Sequence, residues 1–156
     1  MANTQAFCTA TKKELLNGSH AFGAQAANAV RTVTTKDTFK MALFLASASR
    51  GVGDTTYDNT GELAASGNYT QGGAAVTNAT APNTSGTTAF WTPSASVTWT
   101  NLTSSGSFDA AMLYNDASTS KLVVSIHTFT AQSIVAADFS LTMPVNDAST
   151  GLLRIA

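Results

Sequence analysis

From about residue 37 onward, apolar and polar positions alternate with a period of two, the mark of half-buried β-strands. Phe39, Met41, Leu43 and Leu45 fall on one side of a strand, with Lys40, Ala42 and Phe44 on the other. Phe108, Ala110, Met112 and Tyr114 repeat the pattern against Asp109 and Ala111. Leu122, Val124 and Ile126 do so against Val123, Ser125 and His127. Phe139, Leu141 and Met143 line up before Pro144; Thr88, Phe90 and Thr92 precede Pro93, and Val97 and Trp99 follow it. Weaker candidates lie near 62–66, 74–79, 131–135 and 151–155. Turn-forming clusters rich in Gly, Asn, Asp and Ser separate these runs, and the polar stretches 49–62 and 78–87 are expected to form exposed tips. About eight short strands divided by such turns predict an all-β fold, an antiparallel β-sandwich or jelly roll.

One short α-helix precedes the strands. Thr11 followed three residues later by Glu14 has the spacing of a capping box. Leu15 and Leu16 supply apolar contact, and Gly18 stops the turn. A helix this short is unstable alone, so Phe7, Leu15, Leu16 and Phe22 must bury against the body of the domain or a neighbouring subunit. The expected organisation is an N-terminal arm and helix over residues 1–24 and a β-sandwich over 25–156, forming one domain. Phe7, Leu15 and Phe22 in the arm, and Leu152, Leu153 and Ile155 in a last strand, are the candidate interface residues. For each of them, burial inside the same subunit is the competing expectation.

Composition narrows the function. Threonine and serine fill about a quarter of the chain, while charged residues make up 11% against roughly 25% in an ordinary domain. Small hydroxyls, suited to a pleated surface, take the place of charge. The net charge of −1 and the scatter of Lys12, Lys13, Arg31, Lys36, Lys40, Arg50, Lys121 and Arg154 give no positive field for nucleic acid. A charge so near zero leaves little repulsion between copies, and the mean hydropathy of +0.06 also favours association. No run reaches membrane-span length, and MANTQAFCTATKKELL lacks an apolar core of signal-peptide length. Neither nucleic acid nor membrane is expected as a partner.

Candidate chemistry is thin. Cys8 is alone, so no internal disulfide forms, and it is expected to behave as a small buried hydrophobe. Two histidines, His20 and His127, are the only ordinary general bases. Ser19 and His20 are adjacent and do not converge, whereas Ser125 and His127 share a strand face expected to be exposed or at an interface. No G-x-S-x-G elbow or phosphate-cradling loop is present. Asp54, Asp58, Asn59 and Glu62 gather oxygen ligands that calcium accepts, without the EF-hand spacing; solvated loop acids are the simpler reading. Tyr69, Trp91 and Trp99 offer a sugar-stacking platform, with burial in the core as the alternative. No enzyme activity, cofactor or metal is expected.

The stretches TFKMALFLASAS (38–49), GGAAVTNATAP (72–82), TTAFWTPSASVTWTN (87–101), SFDAAMLYND (107–116) and DASTGLLRIA (147–156) resemble a set of small Thr/Ala-rich virion structural proteins of tailed bacteriophages and prophages. The resemblance covers most of the chain beyond residue 7 and brings no catalytic motif. It implies a virion component assembled in the bacterial cytoplasm: a homo-oligomeric capsid decoration or cement protein bound to the major capsid protein, or else a tail or fibre protein involved in host-surface recognition. A carbohydrate-binding β-module is a further alternative.

Overall fold

The computed structural model describes residues 2–23 and 35–156. Arg31 and the expected boundary between residues 24 and 25 lie outside the described residues. The elements run β1 (Ala6–Phe7), α1 (Thr9–Leu16), β2 (Phe39–Leu45), β3 (Ala74–Val76), β4 (Asn83–Ser85), β5 (Thr88–Trp91), β6 (Val97–Leu102), β7 (Phe108–Asn115), β8 (Val123–Gln132), β9 (Ala137–Leu141) and β10 (Leu153–Ile155). The fold is all-β with antiparallel pairing and one short N-terminal helix. A five-stranded sheet has the order β1-β8-β7-β2-β3; β10-β5-β4 and β6-β9 form smaller sheets.

The large sheet is buried on both faces, which explains why β2 and β7 are apolar at nearly every position. Phe39, Met41 and Leu43 of β2 join Leu113 of β7, Trp91 of β5 and Trp99 of β6 in one core. Residues of the two small sheets thus pack on this face. Ala42 and Phe44 of β2 belong to a second core with Met112, Tyr114 and Ile126. Cys8 and Ala48, from the N-terminal element and the chain after β2, close that side.

Two bulges correct the expected alternation. Leu45 pairs with Phe108 and Phe44 with Ala110, so Asp109 is an extra residue in β7. The inserted residue rotates Phe108 to the opposite face: it joins the first core, whereas Ala110, Met112 and Tyr114 line the second. In β8, Tyr114 pairs with Val123 and Leu113 with Ser125, leaving Val124 extra. Val124 accordingly enters the first core and Ile126 the second. A strict period of two cannot reveal an inserted residue.

The β8 bulge also docks the helix. The Thr11 hydroxyl, fully buried, donates to the Val123 carbonyl at 2.6 Å with the Val124 carbonyl at 3.0 Å, and the Cys8 N–H donates to Val124 O at 3.2 Å. The capping box expected from Thr11 and Glu14 does not form. The helix starts at Thr9 behind Cys8, which makes no side-chain cap, because the strand carbonyls take the Thr11 hydroxyl. The C-terminal end follows expectation. Gly18, at φ 67°, lets its own N–H reach Leu15 O at 3.1 Å and the Ser19 N–H reach Glu14 O at 2.8 Å, a Schellman motif. Leu16 makes no core contact and is 89% exposed.

The stretch 49–62 is not a protruding tip. Arg50 and Glu62 are buried, and Tyr57 stacks on Tyr114 with centroids 4.4 Å apart. The stretch lies across the second face of the large sheet. Stretch 78–87 is largely exposed, but it contains β4, hydrogen-bonded to β5 from Asn83↔Phe90 to Ser85↔Thr88. The candidate strand at 62–66 reduces to two isolated bridges, Phe44↔Glu62 and Ser66↔Tyr69, and residues 131 and 132 merely continue β8.

A candidate interface groove between two sheet edges

β1 ends the five-stranded sheet and β10 ends the sheet of three. β1 is short: Ala6 and Phe7 pair with Ile126 and Ser125 of β8, and the Cys8 N–H adds one bond to Val124 O. Before and after them, the Thr4 and Thr9 amides turn to Arg50 O and Val52 O. β10 pairs Leu153, Arg154 and Ile155 with Trp91, Phe90 and Ala89. The two terminal strands flank adjoining grooves that share Phe7 and Leu153.

All six interface candidates border these grooves. Leu15, Phe22 and Ile155 line the more apolar one, Leu152 the more polar one, and Phe7 and Leu153 both. Their burial differs. Leu153 is 8% exposed and belongs to the core, whereas Ile155 is 50% exposed. Phe7, Leu15, Phe22 and Leu152 are half-buried. Phe22 stacks on Phe39 at 4.8 Å and meets Trp91 at 4.9 Å, so the arm seals one end of the first core while leaving a ring edge in the groove.

The polar groove holds Gln5, Ser125, His127 and Arg154. Ser125 and His127 do converge, with Oγ and Nε2 2.7 Å apart. Their face is not freely exposed: Ser125 is 1% exposed and His127 half-buried. Desolvation lowers the His127 pKa to about 4, so its ring is neutral at physiological pH. Arg154 donates to the Ser149 carbonyl.

Other ionisable groups among the described residues are engaged within the fold. The Arg50 guanidinium bridges Asp54 at 3.1 Å and Asp58 at 2.7 Å, donates to the Thr60 carbonyl, and lies 4.6 Å over the Phe44 ring. Its hydrogen bonds hold the Asp58 carboxyl well below the usual carboxylate range. Glu62 accepts from Tyr57, from Tyr69 at 2.6 Å and from the Gly72 N–H at 2.7 Å. Asp54 and Asp58 thus meet around the Arg50 guanidinium, while Glu62 turns to Tyr57, Tyr69 and Gly72, so these acids are engaged within the fold and are not simply solvated. Among the described residues no group of three or more His, Cys, Asp and Glu is placed to hold a metal.

Tyr69, Trp91 and Trp99 are 2%, 2% and 5% exposed and belong to the first core, which removes the stacking platform. Cys8 is fully buried, and burial, with Asp54 and Glu14 nearby, pushes its thiol up to about 12. His20 turns away from Ser19. Its Nε2 donates to Glu14 at 2.9 Å while Nδ1 accepts from Asn115, which also donates to Asp37 at 2.6 Å. Sequence reading missed this network because its bonded partners, such as His20 and Asn115, lie up to 95 residues apart. Among the described residues no helix is long and apolar enough to cross a membrane.

Searches against protein-family models, curated proteins and solved structures find no match to this chain.

Proposed function

We propose that this chain is a structural component of a tailed-phage virion, a capsid decoration or cement protein that stabilises the head through many repeated contacts. The carrying observation is the pair of terminal strands, β1 and β10, around a groove bordered by Phe7, Leu15, Phe22, Leu152 and Ile155. Terminal strands present unpaired backbone groups for pairing with another chain, and charge-poor apolar surface suits the core of an interface. Repetition over a lattice converts weak contacts into avidity. The partners are further copies of the chain and the major capsid protein. The reading involves no catalysis, cofactor, nucleic acid or membrane, and the engagement of Arg50, Asp54, Asp58 and Glu62 inside the fold supports it.

A tail or fibre location is the second reading, and the exposed strand β4, paired with β5, favours it as a recognition tip. Labelling of intact particles with antibody to this chain separates the two. The decoration reading expects signal over the head; signal confined to the tail replaces it with the fibre reading, and unlabelled particles remove both.

A further inference from the structure

The turn that joins β8 to β9 is a braced apolar knob. Val135 at its tip is 79% exposed, and Ala136 and Ala137 beside it are exposed too. Ala136 holds φ +48°, in the left-handed region that alanine rarely enters. Three bonds to the chain after β6 fix the turn. The Ser104 N–H donates to Ile134 O at 2.9 Å, the Ile134 N–H to Ser104 Oγ at 3.0 Å, and the Ala136 N–H to Thr103 Oγ1 at 3.1 Å. Backbone strain of this kind collects at sites of contact. The one charge on residues 133–138 is Asp138, exposed on β9, whose Oδ1 accepts from the Asn101 N–H at 2.8 Å.

The apolar groove lies toward the other end of β8. Leu15 of α1 lines it, and α1 docks through Thr11 on the Val123 carbonyl at the start of β8, whereas Val135 follows the end of that strand. Ten residues of β8 set the two roughly 30 Å apart, so a copy does not fill its own groove with its own turn. Among the described residues no Asp, Glu, Lys or Arg lines the groove. Its helical rim is positive. Lys12, three residues before Leu15, and Lys13 are exposed, while Glu14, the one acid of α1, is buried against His20. Leu16, 89% exposed, adds apolar surface beside them.

We propose that a second copy covers this groove with its β8–β9 turn: Val135 enters among Leu15, Phe22 and Ile155, and Asp138 faces Lys12 and Lys13. The inference rests on the reading of the groove as an interface, and it names the occupant. A small apolar tip bearing a single anion matches an apolar groove rimmed by two cations. The two patches sit toward opposite ends of one strand, so the contact is heterologous. It repeats head to tail and builds a ring or an open array, with each copy giving one turn and receiving one.

Sedimentation velocity of the purified chain over a concentration series tests this. Val135→Asp, at a position exposed enough to leave the fold intact, should weaken self-association at least about tenfold. Lys12→Glu/Lys13→Glu should weaken it too, and so should Asp138→Lys, because each sets like charges face to face. Mixing those two charge variants puts opposite charges at every contact between them and should restore association. A Val135→Asp chain that associates like wild type, a mixture no stronger than its separate components, or a wild type that stays monomeric overturns the proposal. Ile155→Asp separates this from failure of the groove reading. If it abolishes association while Val135→Asp does not, the groove is an interface filled by another segment; if neither variant changes association, both readings fall.

Discussion

Phe7 on β1 and Leu153 on β10 belong to different sheets yet line the same two grooves. Leu153 fills the first core and Phe7 packs against it. The groove is therefore the edge of the interior, left open where the large and small sheets meet. This explains why the interface candidates and the intramolecular core are continuous.

That continuity gives opposite expectations for two neighbouring residues. Ile155, half exposed at the rim, contributes little to folding. Ile155→Asp should shift the melting temperature by no more than about 3 °C while abolishing self-association in sedimentation velocity. Leu153→Ala removes buried core volume and should cost about 2–3 kcal/mol in urea unfolding. An Ile155→Asp protein that associates normally shows that the rim is not an interface.

Arg50 is predicted to tie down the chain after β2. Arg50→Met leaves Asp54, Asp58 and the Thr60 carbonyl without their shared donor. The expected loss is about 2 kcal/mol, below that for a fully buried pair because the Asp58 side chain is 52% exposed. Asp58 has a lowered pKa in the fold, so its contribution is present above the ordinary carboxylate value and is lost as pH falls. Melting temperatures should drop below about pH 4 in the wild type, and the drop should be shallower in Arg50→Met.

The phenols around Glu62 make the alkaline limb. Burial, and for Tyr57 and Tyr69 the hydrogen bond to Glu62, raise the pKa values of Tyr57, Tyr69 and Tyr114. Cys8 is raised from 9.0 to about 12. For groups raised in the fold, stability is complete below the unfolded pKa and declines above it. Thermal stability should be flat through neutrality, begin to fall near pH 9 with Cys8, and steepen above about pH 10. Tyr69→Phe also strands the Leu43 N–H, which donates to the Tyr69 oxygen at 2.9 Å. It should cost about 2 kcal/mol at pH 7.

Gly73 allows β3 to approach β2. Its φ is +71°, and a Cβ there would lie 2.0 Å from the Met41 carbonyl oxygen. Gly73→Ala should lose about 3 kcal/mol or more in urea unfolding, because backbone is the obstacle and cannot yield. A near-neutral result contradicts the assigned β2–β3 approach.

Much of this fold is legible in the chain because period-two alternation follows directly from strand geometry. β2, β5, β6, β7, β8 and β9 were each anticipated from it, as was the helix stop at Gly18. What the chain conceals are events that depend on a partner distant in sequence. The bulges at Asp109 and Val124 become visible only through the registers with β2 and β7, and each turns a large side chain to the other face. Thr11 and Glu14 match a capping box in isolation, but β8 carbonyls and His20 claim their side chains. Asp54, Asp58 and Glu62 read as solvated or calcium-binding because nothing local announces that Arg50, Tyr57 and Tyr69 meet them. The groove was half legible: its apolar residues are apparent in sequence, and the meeting of β1 with β10 is not.

On the proposed reading, the groove edge is covered by neighbouring subunits in a phage head. Co-sedimentation of the purified chain with heads assembled without it tests that most directly. Saturable binding at many copies per head is expected, lost in Ile155→Asp and kept in a control altered on the β6–β9 sheet, such as Thr98→Ala. Absence of binding, or binding that Ile155→Asp leaves unchanged, contradicts it.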